Sequence, residues 1–203
     1  MESEVREPRQ KRAIEKKEKI IKAGFDLICE NGYYSNNTAE IAKAAEVSTG
    51  IFYQYFKDKH DIFMAAMEKY GEGIFFPMLN ANDKYIIQDF DKLIKNMIKQ
   101  HIEEHKVSSI AHEEITAMIH SDKEVAEYYY RKELELTEKI KTILLNNHFK
   151  DEHLEEKVHI MLGMIENLCH EVIYHKHRDM DYDAMTDIVI DNIKELFKKD
   201  LIK

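Results

Sequence analysis

Histidine, which occurs eleven times in this chain of 203 residues, is the residue type best able to bind a metal or haem. A zinc-protease helix needs His-Glu-x-x-His, because residues four apart share a helix face. The two His-Glu pairs begin at His112 and His170, but Thr116 and Tyr174 stand where the second histidine is required. A di-iron bundle needs two Glu-x-x-His motifs, and the sequence holds one. We therefore predict no metal site and no cofactor, and keep a metal- or haem-binding helical sensor as the alternative function.

Motifs for enzymatic catalysis are also missing from the sequence. It has no glycine-rich loop that could hold phosphate, and no serine or cysteine nucleophile motif. Cys29 and Cys169 form neither a disulfide framework nor a metal knuckle. No apolar run approaches the roughly 20 residues that cross a bilayer, and the charged N-terminus lacks the apolar stretch of a secretion signal. We expect a cytoplasmic protein that is not an enzyme and does not enter the membrane.

Residues 36–63 carry polar side chains at spacings that suit contact with DNA. A run of N-cap residues at 36–38 precedes one short helix, and Ser48 can cap a second helix after a tight turn. The positions assigned to the core are Ile41, Ala45, Val47, Phe52 and Phe56. The outward face of the second helix is then Gly50, Tyr53, Gln54 and Lys57. Such a face fits the DNA major groove, where small residues permit close approach and polar groups reach base edges.

The same segment resembles the helix-turn-helix of the tetracycline-repressor (TetR) family of bacterial transcriptional regulators. The residues in register with the family's pattern are Gly32-Tyr33, Ile41-Ala42, Ala45, Val47-Ser48, Gly50, Tyr53, Tyr55-Phe56 and Lys59. The resemblance spans roughly residues 14–63, about a quarter of the chain. Glu46 stands at the turn position where the family most often has glycine, so a slightly relaxed turn is expected. Asn36 and Asn37 replace the commoner threonine or serine, and asparagine caps helices equally well.

The resemblance implies contacts with a double-stranded DNA operator for seven residues. Thr49, Gly50 and Tyr53 would approach base edges. Thr38, Ser48, Tyr55 and Lys59 would hold phosphates, and Lys59 gains from its place near a helix N-terminus. The alternative for Tyr55 is core packing, which a Tyr-x-Tyr-Phe run at the end of a helix usually provides.

Charge is distributed unevenly along the chain. The net charge of −9 opposes binding to nucleic acid, but residues 1–59 carry +1 and residues 60–203 carry −10. Between residues 6 and 22 eight basic residues outnumber three acidic ones, and the basic set is Arg6, Arg9, Lys11, Arg12, Lys16, Lys17, Lys19 and Lys22. This basic lead-in either follows the phosphate backbone beside the motif or forms a solvated helix face.

Helical spacing runs through the whole chain and strand signals are absent, which predicts an all-α fold. We predict helices near 10–31, 38–45, 49–56, 59–75, 86–105, 107–120, 122–148, 151–176 and 182–200. The breakers Gly71, Gly73 and Pro77 are expected to mark a hinge. The predicted domains are an N-terminal three-helix helix-turn-helix DNA-binding domain at 1–63, which continues into a linking helix at 59–75, and a C-terminal helical ligand-binding and dimerisation domain at 76–203.

The last two predicted helices carry apolar stripes at three- and four-residue steps. The stripes are Val158, Leu162, Ile165, Leu168/Cys169 and Val172/Ile173 in one helix, and Met185, Ile188/Val189, Ile193 and Leu196/Phe197 in the other. Such stripes are buried in the protein's own core or against a partner. Because the family resembled forms a four-helix dimer interface from its last two helices, we expect a homodimer through residues near 155–200. The dimer would hold two recognition helices ~34–36 Å apart on a palindrome.

The resemblance also implies a small-molecule pocket among the central helices, whose effector shifts the population of DNA-competent states. The predicted effector-binding residues are Met97, His101, His112, Met118, Tyr129, Glu166 and His170, and Phe76, Tyr85, Phe90 and Tyr174 share their pocket character. Glu166 and His170 lie one helical turn apart and could orient a polar or cationic group. We expect a repressor that a small apolar or cationic effector releases from its operator.

Overall fold

Each regular element of the described residues is helical, which confirms the all-α prediction. The computed structural model describes residues 11–72, 76, 79, 82, 85–107, 109–174 and 176–198. Its helices are α1 (Lys11–Asn31), α2 (Thr38–Ala44), α3 (Thr49–Tyr55), α4 (Lys59–Ala66), α5 (Phe90–Val107), α6 (Ser109–Ser121), α7 (Lys123–Asn146), α8 (Leu154–Ile173) and α9 (Tyr182–Phe197). A π-helical turn, Met67–Gly71, continues α4.

The predicted helix boundaries lie within a few residues of the observed ones in the part of the chain that the structure describes. The largest difference is at α5, which is predicted from residue 86 and begins at Phe90. Asp89 sets this start, because its side chain accepts a hydrogen bond from the Lys92 backbone N–H at 3.0 Å. Several predicted features lie outside the described residues: the helix ends at 10, 73–75 and 199–200, the basic residues Arg6 and Arg9, and the hinge residues Gly73 and Pro77.

The chain forms two compact units, and each unit draws on two stretches of sequence. Unit 1 comprises Met1–Ile74 and Ser108–Tyr129, and unit 2 comprises Phe75–Val107 and Tyr130–Lys203. The predicted domains at 1–63 and 76–203 differ from this division because α6 packs against α1. Sequence reasoning had placed α6 in the second domain.

Helix α6 and the start of α7 are also hydrogen-bonded to the N-terminal part of unit 1. The backbone N–H of Tyr34 donates to Glu114 Oε2 at 3.1 Å, and the Tyr128 hydroxyl donates to the Met67 carbonyl at 2.8 Å. Gly32, with φ of +83°, makes room for the same carboxylate, since a Cβ there would lie 2.6 Å from Glu114 Oε1. Any other residue at position 32 would be strained by both its backbone and the lack of space.

The core of unit 1 forms where the first four helices pack together. Its buried residues are Ile20, Ile21, Ile41, Ala42, Ala45, Phe52, Tyr55, Phe56, Ile62 and Ala66, with Val47 half-buried against them. Gly24 allows α4 to approach α1, since a Cβ there would lie 3.0 Å from Ile62 Cδ1. The core positions predicted from the sequence thus all belong to this cluster. Full burial of one such large side chain stabilises the fold by about 1.5–3 kcal/mol.

The core of unit 2 forms where α5, α8 and α9 pack together. The rings of Phe90, Phe149 and Phe197 lie with their centroids 5.5–6.0 Å apart. Helix α8 contributes Leu154, Val158, Met161, Ile165, Leu168 and Cys169, and α9 contributes Ile190, Ile193 and Phe197. Most of the two predicted apolar stripes is therefore buried within the chain itself. Ile160 and Ile188 stay exposed on α8 and α9.

Candidate nucleic-acid interface

Helices α2 and α3 are each capped by a side chain that precedes them. Asn37 accepts hydrogen bonds from the backbone N–H groups of Ala39 and Glu40, both at 3.0 Å, while the Glu40 carboxylate accepts from the Asn37 backbone at 2.9 Å. Ser48 Oγ accepts from the Ile51 backbone N–H at 3.3 Å. Each cap contributes about 1 kcal/mol, so the starts of both helices are fixed.

The turn between α2 and α3 keeps the conformation that glycine favours. Glu46 has φ of +56°, in the left-handed region, and the Val47 backbone N–H donates to the Ala42 carbonyl at 3.0 Å to close the turn. The expected relaxation of this turn does not occur. Because a side chain at such a φ approaches the following carbonyl, Glu46 costs roughly 1–2 kcal/mol of local strain. Its carboxylate lies 3.6 Å from Lys19 Nζ, an exposed ion pair that offsets little of this cost.

The outward face of α3 carries the three residues predicted to approach base edges. Thr49, Gly50 and Tyr53 are exposed, and Tyr53 keeps 49% of its surface, whereas Phe52 beside it is fully buried. A Cβ at Gly50 would meet only Ser48 Oγ, at 3.8 Å. The face is therefore open to close approach by another molecule, and the buried ring behind it holds the helix in place.

A hydrogen bond joins α3 to α2 at this surface. The hydroxyl groups of Tyr53 and Thr38 lie 2.9 Å apart, so two of the predicted contact residues are brought together and the orientation of the tyrosine ring is fixed. Gln54 is exposed beside Tyr53, although sequence reasoning assigned it no contact. The sequence feature that could have identified Gln54 is its position on the outward face of the second predicted helix.

Lys59 and Tyr55 have roles inside unit 1. The Lys59 ammonium group donates to the carbonyl oxygens of Tyr33 and Asn36, at 2.8 and 2.9 Å, and lies 4.2 Å from the centroid of the Tyr33 ring. Tyr55 is 9% exposed and belongs to the core. Their predicted phosphate contacts stay predictions. Sequence reasoning missed this use of Lys59, because the carbonyls that it binds lie more than twenty residues earlier in the chain.

Asn36 is a second internal contact that the sequence did not reveal. Its side chain is buried, and its Nδ2 donates to the carbonyls of Leu27 and Gly32 at 2.9 and 2.6 Å. Asn36 therefore anchors the loop between α1 and α2, while Asn37 performs the capping predicted for the run. Lys59 and Asn36 together hold the loop that positions α2.

The described basic residues of the lead-in lie on α1, which packs against α2. Lys11, Arg12, Lys16, Lys19 and Lys22 are exposed. Lys17 is half-buried, with Nζ 5.7 Å from the centroid of the Phe56 ring. A hydrogen bond from Lys22 to Asp26, 2.5 Å long, raises the pKa of the lysine. Exposed ion pairs of this kind are weak, so these side chains remain available to an incoming polyanion.

The predicted effector residues divide between the two units. Met97, His101, Glu166 and His170 belong to unit 2, whereas His112, Met118 and Tyr129 belong to unit 1. In unit 2, Glu166 is bonded to both histidines: His101 Nε2 lies 2.5 Å from Oε2, and His170 Nε2 lies 3.1 Å from Oε1. In unit 1, His112 and Met118 are buried and Tyr129 is half-buried.

A largely apolar cavity of about 260 Å³ lies within unit 2. It is lined by Tyr85, Ile87, Leu93, Asn96, Met97, Gln100, Ile140, Ile143 and Leu144. Of the residues with predicted pocket character, Met97 and Tyr85 line it. Phe90 instead packs against Phe149 and Phe197. The predicted effector residues of unit 2 thus lie in two places, this cavity and the His101–Glu166–His170 cluster.

The two cysteines are free thiols, Cys29 half-buried and Cys169 fully buried. Burial raises the pKa of Cys29 to about 11 and that of Cys169 to about 12, with nearby carboxylates adding to both shifts. Within the described ranges, every helix is too short or too polar to span a membrane.

Comparison with known proteins agrees with the helix-turn-helix geometry. Residues 20–66 match the profile described as "Bacterial regulatory proteins, tetR family". The chain is 44% identical over 54 residues, 27% of its length, to the HTH-type transcriptional regulator HbdR of Aromatoleum sp. strain CIB. It is 22% identical over 189 residues, 90% of its length, to the uncharacterized HTH-type transcriptional regulator YerO of Bacillus subtilis. These matches span 24% and 64% of the lengths of the two relatives.

The fold has a solved counterpart in a TetR-family transcriptional regulator from Mesorhizobium loti. The TM-score is 0.68, and the likeness covers 95% of this chain and 100% of that one at 14% sequence identity. At such low identity the likeness shows the fold alone. The capped helices α2 and α3 lie within residues 20–66, the segment that matches the tetR family of bacterial regulatory proteins.

Proposed function

We propose that the chain regulates transcription by inserting α3 into the major groove of a specific DNA duplex. The observation that carries this proposal is the contrast between the two sides of α3, where Thr49, Gly50 and Tyr53 are exposed and Phe52 is fully buried. A short helix held by a buried ring and presenting polar groups suits base-edge contact.

The contacts proposed for individual residues follow from their positions. Tyr53, held by Thr38, presents its hydroxyl to a base edge, and the Gln54 amide is of the type that pairs with adenine. Ser48 and the exposed lysines and arginine of α1 supply phosphate contacts. The acidic charge of residues 60–203 then has to face away from the duplex.

Substitution of Tyr53 by alanine tests this proposal, with Tyr130→Ala as the matched control. The two tyrosines are 49% and 51% exposed, so both substitutions remove similar surface. Fluorescence anisotropy on a duplex selected from a random library should show at least about tenfold weaker binding for Tyr53→Ala, the value of one good base contact. Tyr130→Ala should bind like the unsubstituted chain. Equal affinities for both variants would count against the proposal.

We also propose that the chain forms a homodimer through the exposed parts of α8 and α9. Ile160 on α8 and Ile188 on α9 are 47% and 61% exposed, and a Cβ at Gly163 would meet nothing within 4 Å. Ile160 and Gly163 are three residues apart on α8 and therefore share a helix face. One recognition helix covers few base pairs, so a symmetric dimer would multiply the specificity of DNA binding.

The proposed effector is a small, mainly apolar molecule that binds in the cavity of unit 2. The volume of about 260 Å³ is below the roughly 300–1,000 Å³ typical of sites for drug-sized ligands. Asn96 and Gln100 supply polar groups, and Leu93 and Ile143 supply apolar wall. An effector that binds more tightly to the DNA-incompetent state would release a repressor from its operator.

A panel of small alcohols, carboxylic acids and amines tests the cavity by thermal shift. A compound that fits should raise the melting temperature of the unsubstituted chain, because binding to the folded state alone stabilises it. The same compound should leave Leu93→Trp unchanged, since the indole ring fills the cavity. Equal shifts in both proteins would place the binding elsewhere and contradict the proposal.

A further inference from the structure

The cavity of unit 2 differs from the chain as a whole in its lack of charge. Charged residues make up 34% of the sequence, yet none of the described residues that line the cavity is charged. The polar side chains among them are the amides of Asn96 and Gln100 and the phenol of Tyr85. An amide both donates and accepts hydrogen bonds, so it can satisfy an uncharged polar group of a ligand.

The lysines that neighbour the lining residues in the sequence are used elsewhere in unit 2. Lys95 and Lys99 of α5 line a separate groove, which α5 forms with α9. Lys141 of α7 lies 3.4 Å from Glu155 and 3.7 Å from Glu138, so its ammonium group is drawn to these carboxylates. A carboxylate in the cavity would therefore be without the cation that it needs on burial.

The N-terminus of α5 already holds a carboxylate of the chain. Leu93, which lines the cavity, lies one turn into this helix, where free backbone N–H groups could stabilise an anion. Asp89 takes that place, because its Oδ1 accepts a hydrogen bond from the Lys92 backbone N–H at 3.0 Å. An anionic ligand close to this helix end would meet the Asp89 carboxylate and be repelled by it.

Tyr85 and Ile87, which form one wall of the cavity, are held by the side chain of Asn147 just beyond the end of α7. Asn147 Oδ1 accepts a hydrogen bond from the Ile87 backbone N–H at 2.7 Å, and its Nδ2 donates to the carbonyls of Tyr85 and Ile143, both at 2.7 Å. These backbone groups of the wall are thus already hydrogen-bonded within the chain. They are not left to hold a carboxylate or an ammonium group.

We propose that the cavity binds an uncharged molecule with one hydrogen-bonding group, such as a primary amide or an alcohol, and rejects carboxylates and amines of similar size. This inference rests on the proposal that the cavity is the effector site. Of the two effector classes expected from the sequence, apolar and cationic, it retains the apolar one. A buried charge without a partner costs far more free energy than a hydrogen-bonded amide. Since a cavity of about 150 Å³ holds benzene, one of about 260 Å³ has room for roughly ten non-hydrogen atoms.

Hexanamide, hexanoate and hexylamine test the proposal, because they share one chain and differ in charge near pH 7. Methyl NMR of the full chain measures their affinities, with Ile143 and Leu144 as reporters in the cavity and Ile41 in unit 1 as the reference. Hexanamide should bind at least about tenfold more tightly than the two charged compounds, since each of these has to bury or strand its charge.

Leu93→Trp, whose indole ring fills the cavity, separates the two proposals. Hexanamide binding should be lost in this variant. Failure of hexanamide to bind the unsubstituted chain, or equal binding of hexanoate in the cavity, would overturn the inference of an uncharged ligand. Binding that persists in Leu93→Trp would instead contradict the assignment of the cavity as the effector site.

Gln100→Lys should admit the carboxylate that the unsubstituted chain rejects. Gln100 lines the cavity and is exposed, so the fold tolerates lysine there. The variant should bind hexanoate at least about tenfold more tightly than the unsubstituted chain does, because the new cation supplies a charge-assisted hydrogen bond. Asn192→Lys is the matched control, since it adds the same charge at an exposed position of α9 outside the cavity. Unchanged hexanoate binding in Gln100→Lys, or an equal gain in Asn192→Lys, would overturn the proposal.

Discussion

The polar residues of α3 in unit 1 are exposed to solvent, whereas His101, Glu166 and His170 in unit 2 are mostly buried. In unit 1 they follow one another along α3, and the buried ring of Phe52 holds them from behind. In unit 2, His101 and Glu166 meet across two helices although 65 positions separate them in the sequence. A surface of the first kind can be substituted with little loss of stability, whereas a cluster of the second kind is part of the packing. The two units therefore call for different experiments.

A second contrast lies within the family pattern itself. Tyr53 and Lys59 both fall in register with that pattern, yet Tyr53 is half exposed and Lys59 binds two backbone carbonyls of its own unit. The residue at a motif position can thus be required for direct contact with DNA, or for the internal packing that supports the DNA-contacting surface. Substitutions at the two positions should separate these causes.

The largest effect is expected at Gly163, the proposed point of close approach between two copies of α8. Gly163→Ala should stabilise the single chain by up to about 1 kcal/mol, because alanine favours the helix and a Cβ meets nothing there. Gly163→Leu should weaken the dimer by about 2–6 kcal/mol, since overpacking costs about 1–3 kcal/mol and a symmetric interface contains the residue twice. Urea unfolding measures the stability of Gly163→Ala, and analytical ultracentrifugation measures the dimerisation of Gly163→Leu. An unchanged dimer in Gly163→Leu would exclude this contact.

Loss of the Lys59 ammonium group should lower the free energy of unfolding by about 2–3 kcal/mol. Hydrogen bonds from charged groups contribute about 1.5–3 kcal/mol, and the contact of the cation with the Tyr33 ring adds to them. Urea unfolding of Lys59→Ala measures this loss. Lys57→Ala is the control, since that side chain is exposed and should change stability by less than about 0.5 kcal/mol.

The salt dependence of DNA binding by Lys59→Ala then separates the two roles of this lysine. A phosphate contact contributes about one unit to the slope of log affinity against log salt concentration. We expect the slope to stay unchanged, because the ammonium group already binds the carbonyls of Tyr33 and Asn36. A slope reduced by one unit would return Lys59 to the set of phosphate contacts.

Backbone strain at Glu46 predicts that Glu46→Gly is more stable than Glu46→Ala by about 1 kcal/mol. Both variants lose the carboxylate and its weak pairing with Lys19, so that loss cancels and the left-handed backbone dominates their difference. The greater chain entropy of glycine when unfolded reduces the difference but does not reverse it. Thermal unfolding of the two variants measures it. Equal stability would mean that the turn is not strained.

The two thiols should show the smallest effect, a slow alkylation that continues to rise with pH. Because their pKa values are raised to about 11 and about 12, the thiolate fractions should increase about tenfold per pH unit up to pH 10 without a plateau. Mass spectrometry after iodoacetamide treatment should find Cys29 modified before Cys169, which is fully buried. A plateau near pH 9 would show ordinary, exposed thiols.

Local spacing explains what could be predicted from the sequence. The helices, the caps at Asn37 and Ser48, and the exposed face of α3 all depend on residues within a few positions of one another. The contacts of Lys59 with Tyr33, of Glu114 with Tyr34 and of His101 with Glu166 join residues 26, 80 and 65 positions apart. Such contacts depend on how helices pack, and periodicity within one helix carries no information about them.

Competition binding tests the central claim most directly. A duplex selected from a random library is labelled, bound to the chain, and displaced by either the same unlabelled duplex or a scrambled one at physiological salt. If α3 reads base edges, the scrambled duplex should compete at least about a thousandfold less well, the lower range for specific DNA-binding proteins. Equal competition by the two duplexes would mean that the chain recognises only a polyanion, and the account would be contradicted.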